Sequence, residues 1–429
     1  MRPAARVIIR RHRLPGARPR PRGDIVVSMQ SGLIYLIGPS GNPNFGDEFI
    51  AAAWLRYLAV ERPDAEVWLD CPQPGLAQVL FDGLHPRLRV TNTLWRLVHE
   101  SAEVPIETAA ETIRARVTEL GSPSYDLGIL KMREAESLHL IGGGFINENW
   151  SHHAGLVLGM RAVHDLTGAR LIATGQGLMP MVTSAPAEMP LFQGFSHVTS
   201  RDEAGAEAYG VPRGLDDAFL GVSEEIARTE ALSGLFVCIQ SDTADPERFE
   251  TAVASARKAV ERARQQGTQA YYVEAIPGAD RAAYDLLADL IPEERFLPFS
   301  HIWTHGLPLS RNQTWITSRF HFHLLAAAAG ARGVAVSMKK GYYDVKHESL
   351  TALGSGWSLT TDSEEPDMPQ YRGTLRDELP ALVAQKRAEA GSIYPPLTGQ
   401  AGSLTAGAAK LFNKALAAPL RNKIRPGAR

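Results

Sequence analysis

Arg319 and His321 are two cationic side chains, separated by one residue, at a predicted strand–helix boundary. The apolar run 314–317 predicts a buried strand, Ser318 stands where a helix N-cap is expected, and Gly330 would close the helix. Arg319 and His321 would then lie in the first helical turn, beside unpaired backbone N–H groups and the positive end of the helix dipole. This combination predicts an anion site suited to a phosphate or a carboxylate, and a helix start that is simply basic is the alternative.

Other polar and glycine-rich clusters also follow predicted strands. After the first strand, Asn44 can orient a substrate and Asp47 can act as a base or bind a sugar hydroxyl, while Gly46 lets the backbone approach a ligand. The alternative is structural, with Asp47 as a helix N-cap and Asn44 in a turn. The remaining candidates for substrate contacts are Gly142, Gly143, Gly144, Gln176, Arg201 and Lys346.

These further candidates have structural alternatives of their own. The three glycines at 142–144 suit a tight strand–helix turn, Arg201 can pair with Asp202, and Lys346 can belong to a solvated basic loop. The glycine spacings match neither the Walker loop nor the GxGxxG fingerprint. The clusters therefore predict a polar cleft without identifying a nucleotide.

The elements that must position these side chains alternate between strand and helix from residue 32 onward. Such alternation predicts parallel sheets with helices on both faces. We expect an α/β protein with two Rossmann-like, doubly wound domains facing a cleft, over residues 31–225 and 232–390, with a hinge within 221–231. Ligands of such sheets bind at the carboxyl ends of the strands, so the clusters should meet in that cleft.

Composition and charge exclude several classes of protein. Hydrophobic residues make up 44% and charged residues 21%, which is typical of a soluble globular protein. Residues 1–23 carry eight Arg and no acid, and the rest has 37 Lys and Arg against 47 Asp and Glu, so a nucleic-acid partner is not expected. Cys71 and Cys238 show no metal or redox spacing, and the histidines form no HExxH pair, so we expect no metal and a reducing cytoplasm.

The two ends of the chain differ from the body. Residues 1–30 form a basic arm that we expect to be disordered, and either Met1 or Met29 can be the start. Residues 391–429 read as a linker and a basic amphipathic helix, in which apolar residues from Leu404 to Leu416 repeat at helical spacing. This helix can make a peripheral contact with an anionic membrane or can pack on the body of the protein. No stretch approaches the length of about 20 apolar residues that a membrane span needs.

In order along the chain, these motifs resemble the polysaccharide pyruvyl transferase family. The matching segments span about residues 33–354 and are Asn44-x-Gly46-Asp47, the glycines at 142–144, Gly175-Gln176-Gly177 with Pro180, Ser200-Arg201-Asp202, Asp216 with Phe219, Ser318-Arg319-Phe320-His321 and Asp344-x-Lys346. One position departs from the family pattern, because Phe322 stands where a glycine follows the histidine, with His323 beyond it. That departure concerns the acceptor pocket more than the phosphate contact.

The resemblance implies a glycosyltransferase-B-like pair of domains, with the acceptor on the N-terminal domain and the donor phosphate on the C-terminal one. It implies phosphoenolpyruvate as the donor, a sugar acceptor that is lipid-linked, nucleotide-linked or polymeric, no cofactor, and a pyruvate ketal as the product. Arg201, Arg319 and His321 would bind the donor, and Asp47 would act as the base or bind the acceptor sugar. The enzyme would work in the cytoplasm, with contact to the inner membrane face through the C-terminal helix.

Two other functions remain open at this point. A nucleotide-sugar-dependent glycosyltransferase of the same architecture would use the basic turn at Arg319 for a diphosphate. A non-catalytic sugar-binding relative would keep the fold without turnover, although Arg201, Arg319 and His321 are all present.

Overall fold

The structure is a computed structural model that describes residues 32–184, 190–228, 232–360 and 368–395. The predicted basic arm at residues 1–30 and the predicted amphipathic helix after residue 403 lie outside the described residues. Within the described part, no helix is long and apolar enough to cross a membrane.

Two six-stranded sheets form the framework, and every neighbouring pair of strands is parallel. The first sheet has the order β3-β2-β1-β4-β5-β6 and the second β9-β8-β7-β10-β11-β12, so both have the doubly wound order 3-2-1-4-5-6. The strands are β1 Leu33–Ile37, β2 Glu66–Asp70, β3 Leu88–Thr91, β4 Ser137–Leu140, β5 Arg170–Gln176, β6 His197–Ser200, β7 Gly234–Cys238, β8 Ala270–Val273, β9 Phe296–Leu297, β10 Gln313–Thr317, β11 Arg332–Val336 and β12 Ser358–Thr360. The expected fold class is confirmed.

Helices cover both faces of each sheet. They are α1 Phe45–Glu61, α2 Pro74–Leu80, α3 Thr93–Glu100, α4 Ile106–Glu119, α5 Asp126–Arg133, α6 Ala154–Thr167, α7 Glu203–Tyr209, α8 Val222–Arg228, α9 Pro246–Gln265, α10 Arg281–Asp285, α11 Phe299–His305, α12 Phe320–Ala328, α13 Tyr343–Ala352 and α14 Leu375–Ile393. Short 3₁₀ segments lie at Glu148–His153, Asp217–Leu220 and Glu293–Arg295.

The two halves share a hydrophobic core that is built around α1 and α12. Both helices are apolar around most of their circumference, which suits a helix that is buried on several sides. Phe45 of α1 packs against Phe322 of α12 with ring centroids 5.4 Å apart, and the Phe45 N–H donates to the carbonyl of Ala275 at 3.0 Å. The first turns of α1 and α12 are therefore held side by side.

Helix α14 follows the second sheet but is anchored in the first half. The Lys386 ammonium is fully buried and lies 2.5 Å from the Asp217 carboxylate and 2.7 Å from the Glu389 carboxylate. Burial alone would raise the pKa of Glu389, but the hydrogen bond with His197 and the charge of Lys386 lower it to about 2. These buried ion pairs tie the end of the described chain to the strand ends of the first sheet.

The strands match the sequence expectations better than the helices do. The alternative of a solvated basic loop at 339–347 is wrong, because α13 begins at Tyr343 and Lys346 is buried. Helix α8 lies within the predicted hinge at 221–231, and α2, α3, α5 and α11 were not predicted either. Ser318 is not the N-cap of α12, because its N–H pairs with the carbonyl of Cys238 and its hydroxyl accepts from the N–H of Gln240. Arg319 takes the N-cap position instead, and Gly330 follows the helix at φ 86°, as expected for a terminating glycine.

Candidate active site

One cavity of about 420 Å³ opens between the halves at the carboxyl ends of the strands. The structure brings eight of the eleven sequence-predicted site residues to its wall: Asn44, Gly46, Asp47, Gly144, Arg201, Arg319, His321 and Lys346. The first five belong to the first half and the last three to the second. The four side chains expected to perform chemistry therefore face a single space.

Three predicted contacts lie outside this wall. The Gln176 side chain is fully buried, and its amide N–H groups donate to the carbonyls of Leu140, Ile141 and Thr174 at 2.9–3.1 Å. The Gly142 N–H donates to Asp217 at 2.7 Å, and Gly143 also stays behind the cavity. Gln176, Gly142 and Gly143 thus connect strand ends, and only Gly144 of the glycine run reaches the cavity.

The first turn of α1 supplies Asn44, Gly46 and Asp47. Asn44 is the N-cap, because its side-chain oxygen accepts from the Gly46 N–H at 3.3 Å, while its amide donates to Asp47 at 2.7 Å. Asp47 is therefore held by the cap and is not the cap itself. A Cβ on Gly46 would lie 2.6 Å from Cγ and 2.7 Å from Cε1 of His321, so only glycine lets the imidazole of the second half approach α1.

Asp47 lies deep in the cleft with part of its side chain facing the cavity. Burial raises the pKa of its carboxyl, and the nearby His321, Lys346 and Arg201 oppose that rise. A carboxyl group of this kind can exchange a proton more readily than an exposed one. Its position among three cationic side chains makes it the main candidate for proton transfer from the first half.

Arg201 follows β6 and is 4% exposed. Its Nη1 donates to Asp216 at 2.6 Å, and its guanidinium lies 4.2 Å from the centroid of the Phe320 ring. Its buried Nε–H has no hydrogen-bond partner among the residues that the structure describes. A Cβ on Gly177 would lie 2.9 Å from Nε, so this glycine makes room for the guanidinium. Arg201 retains a donor that a ligand can use.

Asp216 links Arg201 to His321. Its carboxylate lies 3.5 Å from Nε2 of His321, which makes no hydrogen bond with any described residue. Burial acts to raise the pKa of Asp216, but His321 and Arg201 hold it well below its usual value. Asp216 thus holds Arg201 and His321 in position beside each other.

Lys346 is the least compensated cation in the cavity. Its ammonium lies 3.5 Å from the centroid of the Tyr342 ring and, within the described residues, has no ion pair. A Cβ on Gly144 would lie 2.8 Å from Lys346 Nζ and 3.0 Å from Arg201 Nη2. Burial and the charge of Arg201 hold the pKa of Lys346 well below its usual value, which an incoming anion would reverse.

Arg319 is more constrained than the sequence suggested. Its guanidinium donates to the carboxylates of both Asp280 and Asp242, at distances from 2.5 to 3.3 Å. The sequence analysis missed these two partners, because ion pairs between distant residues leave no local pattern. It also missed Trp150 and Tyr342, which line the cavity as an edge-to-face pair from opposite halves.

No metal site accompanies this arrangement in the described part of the chain. There, no group of three or more His, Cys, Asp or Glu side chains is placed to hold a metal ion. The cavity instead brings together the cationic side chains of Arg201, Arg319 and Lys346, which are groups that bind an anionic ligand.

Two Rossmann-like halves around a polar cavity define a two-domain α/β protein with a candidate ligand site between the halves. The family model of polysaccharide pyruvyl transferase matches residues 44–339, most of the chain. The chain therefore belongs to the polysaccharide pyruvyl transferase family. No curated protein sequence gives a significant match.

Solved structures with a similar fold are distant in sequence. A putative UDP-N-acetylglucosamine 2-epimerase from Listeria monocytogenes has 11% identity and a TM-score of 0.48, covering 84% of this chain and 92% of its own. MnaA of S. aureus, solved with UDP, has 9% identity and a TM-score of 0.48, with coverages of 84% and 88%. MurG of Acinetobacter baumannii has 10% identity and a TM-score of 0.39, with coverages of 83% and 94%. These likenesses concern the fold alone.

Proposed function

We propose that this protein transfers the pyruvyl group of phosphoenolpyruvate to two hydroxyls of one sugar, in a cell-surface glycan or its precursor. The products are a cyclic pyruvate ketal and inorganic phosphate. The observation that carries the proposal is the convergence of Arg201, Arg319, His321 and Lys346 with Asp47 on one cavity. Phosphoenolpyruvate carries both a phosphate and a carboxylate, so its binding calls for several cations in one place.

The donor would bind the cations whose charge or N–H groups are not already paired. Lys346 has no carboxylate partner among the described residues, and the Arg201 Nε–H and the His321 Nε2 lack hydrogen bonds. The first turn of α12 brings its backbone N–H groups to the same side of the cavity, where a helix favours negative charge. We assign the phosphate to His321 and Lys346, and to Arg319 once a carboxylate partner of its guanidinium moves away, and we assign the carboxylate to Arg201.

The reaction needs one addition at C2, one protonation at C3 and one substitution of the phosphate at C2. The first sugar hydroxyl adds to C2 while C3 gains a proton and becomes a methyl group. The second hydroxyl then replaces the phosphate at C2, and its proton leaves with the inorganic phosphate. We assign the proton exchange with the hydroxyls to Asp47, whose pKa is raised by burial, and assistance of phosphate departure to His321.

The acceptor would enter from the side of the first half. Trp150 and Tyr342 offer aromatic faces there, and Asn44 and Asp47 offer groups that bind hydroxyls. The acceptor is lipid-linked, nucleotide-linked or polymeric in this proposal, and the reaction takes place in the cytoplasm. A tail that contacts the inner membrane face would favour a lipid-linked acceptor.

Two measurements test the proposal. Isothermal titration compares phosphoenolpyruvate with UDP-N-acetylglucosamine, and we expect phosphoenolpyruvate to bind in the cavity with the acceptor absent. Incubation with phosphoenolpyruvate and a panel of glycan precursors should then release phosphate and add one pyruvate ketal, as seen by mass spectrometry. Binding of the UDP-sugar without any binding of phosphoenolpyruvate would refute the proposed donor.

A further inference from the structure

The guanidinium of Arg319 is already occupied by two carboxylates. Nε and Nη2 donate to Asp280 at 3.0 and 2.6 Å, and Nη2 and Nη1 donate to Asp242 at 2.5 and 3.3 Å. Two negative charges around one positive charge leave this part of the cavity wall unfavourable for an anion. A ligand anion can reach Arg319 only if one carboxylate moves away.

Asp280 is not the one that can move. It is fully buried, and its Oδ2 accepts the backbone N–H groups of Ala275 and Ile276 at 2.7 and 2.8 Å. Its Oδ1 accepts hydrogen bonds from Nε and Nη2 of Arg319. Asp280 therefore fixes the orientation of the guanidinium and stays with it.

Asp242 has the opposite character. Its side chain is 39% exposed, it lines the cavity, and among the described residues Arg319 is the only side chain with which its carboxylate pairs. Its two oxygens meet Nη1 and Nη2, the end of the guanidinium that binds a carboxylate or a phosphate through two parallel hydrogen bonds. Asp242 thus covers the face of Arg319 that points to the cavity.

The loop that carries Asp242 is under local strain. The next residue, Thr243, has φ 51°, a left-handed conformation that is rare for a β-branched residue. The side-chain amide of Gln240 donates to the carbonyl of Asp242 at 2.8 Å, while its side-chain oxygen is buried and has no hydrogen-bond partner in the described part of the chain. A strained loop beside an unpaired polar atom loses less stabilising free energy when it rearranges than a relaxed loop does.

We propose that Asp242 acts as a built-in competitor of the donor, occupying the anion-binding face of Arg319 until the donor displaces it. This inference rests on the proposed function, because it takes phosphoenolpyruvate as the displacing anion. The exchange keeps Arg319 paired with an anion, since the phosphate of the donor arrives as the Asp242 carboxylate leaves. Asp242 also sets a minimum affinity for the ligand, because weakly binding anions cannot compete with a carboxylate that is attached to the protein. Asp242 is thereby a specificity-determining residue for the donor.

The test is the substitution Asp242→Asn, which keeps size and hydrogen bonding but removes the charge. We expect phosphoenolpyruvate to bind about tenfold more tightly to this variant, because the charge-assisted contact that the donor must break is weakened. Asp245→Asn is the matched control, since Asp245 is a nearby exposed acid that pairs with Arg248 and not with Arg319. Isothermal titration is carried out on the full chain with two probes, phosphoenolpyruvate and inorganic phosphate.

The outcomes separate this inference from the proposed function. Tighter binding of phosphoenolpyruvate to Asp242→Asn, with Asp245→Asn unchanged, supports the competitor role. If phosphoenolpyruvate binds the wild type but binds the variant no more tightly, the competitor role is wrong and the proposed donor stands. If inorganic phosphate gains affinity while phosphoenolpyruvate binds neither protein, the competitor role stands and the proposed donor is wrong. Absence of binding to both proteins with both probes overturns both.

Discussion

Replacing Gly46 by alanine tests whether the approach of His321 to α1 matters for donor binding. The new Cβ would lie 2.6 and 2.7 Å from two ring carbons of His321 and closer still to Nδ1, whereas ordinary contact begins near 3.4 Å. The imidazole must therefore retreat by about 1 Å, a displacement that is large on the scale of a catalytic contact. The helix itself should tolerate the change, because alanine is favoured over glycine in helices.

The expected loss follows from the contact that the imidazole makes with the donor. A hydrogen bond to a charged group contributes about 1.5–3 kcal/mol, so its removal should weaken phosphoenolpyruvate binding about 10- to 150-fold. Isothermal titration gives the dissociation constant, and thermal unfolding should show a stability close to that of the wild type. Gly75→Ala is the matched control, because Gly75 is also the second residue of a helix and its Cβ would meet nothing within 4 Å.

A double substitution tests whether the loss of donor affinity comes from displacement of the His321 imidazole. If Gly46→Ala acts only by displacing the imidazole, then adding it to His321→Ala should change the donor affinity no further. Wild-type affinity in Gly46→Ala, or an additive loss in the double variant, would refute the reasoning.

Three further changes have definite expected results. Gly144→Ala should weaken phosphoenolpyruvate binding about tenfold without lowering the unfolding temperature, because its Cβ would lie 2.8 Å from the mobile end of Lys346; unchanged affinity in titration would contradict this. The pKa of Glu389 is about 2 in the folded protein, below its unfolded value, so ionised Glu389 stabilises the fold by up to about 3 kcal/mol at neutral pH. This stabilisation is lost as the pH falls from about 4.5 to 2. Urea unfolding should therefore show a smaller pH dependence in Glu389→Gln, and equal curves would contradict the assignment. Anionic liposomes should pellet the full chain and not a chain that ends at Gly402, and equal pelleting would exclude membrane binding through the tail.

The sequence predicts the strands of this protein well because parallel strands buried on both faces are short apolar runs. Leu33–Ile37 and Gly234–Cys238 are examples, and each is followed by turn-forming residues. Helix α13 was not predicted, because its sequence lacks an amphipathic pattern and an N-cap side chain. Ser318 misled the prediction of an N-cap, since the sheet extends its pairing by one residue beyond the apolar run.

The sequence likewise predicts only part of the candidate site. Residue types that bind anions, such as Arg201 and His321, stand out after strands, and the rule that strand ends meet in a cleft places them together. The partners of these cations do not stand out, because Asp242 and Asp280 lie far from Arg319 in sequence and make contact only through the fold. The roles of Gly46 and Gly144 also need three-dimensional information, since each makes room for a side chain that is distant in sequence.

The anchoring of α14 in the first half has a consequence for how the chain is made. Translation completes the first sheet long before Lys386 leaves the ribosome, yet Asp217 of that half is fully buried and depends on the Lys386 ammonium. Tyr394 likewise fills the space beside Trp54 and His139. Until these last residues emerge, the Asp217 carboxylate lacks its ammonium partner and the apolar surface around Trp54 is uncovered, and exposed apolar surface is what chaperones bind. The order of synthesis therefore makes α14 the last element to join the half of the protein that is translated first.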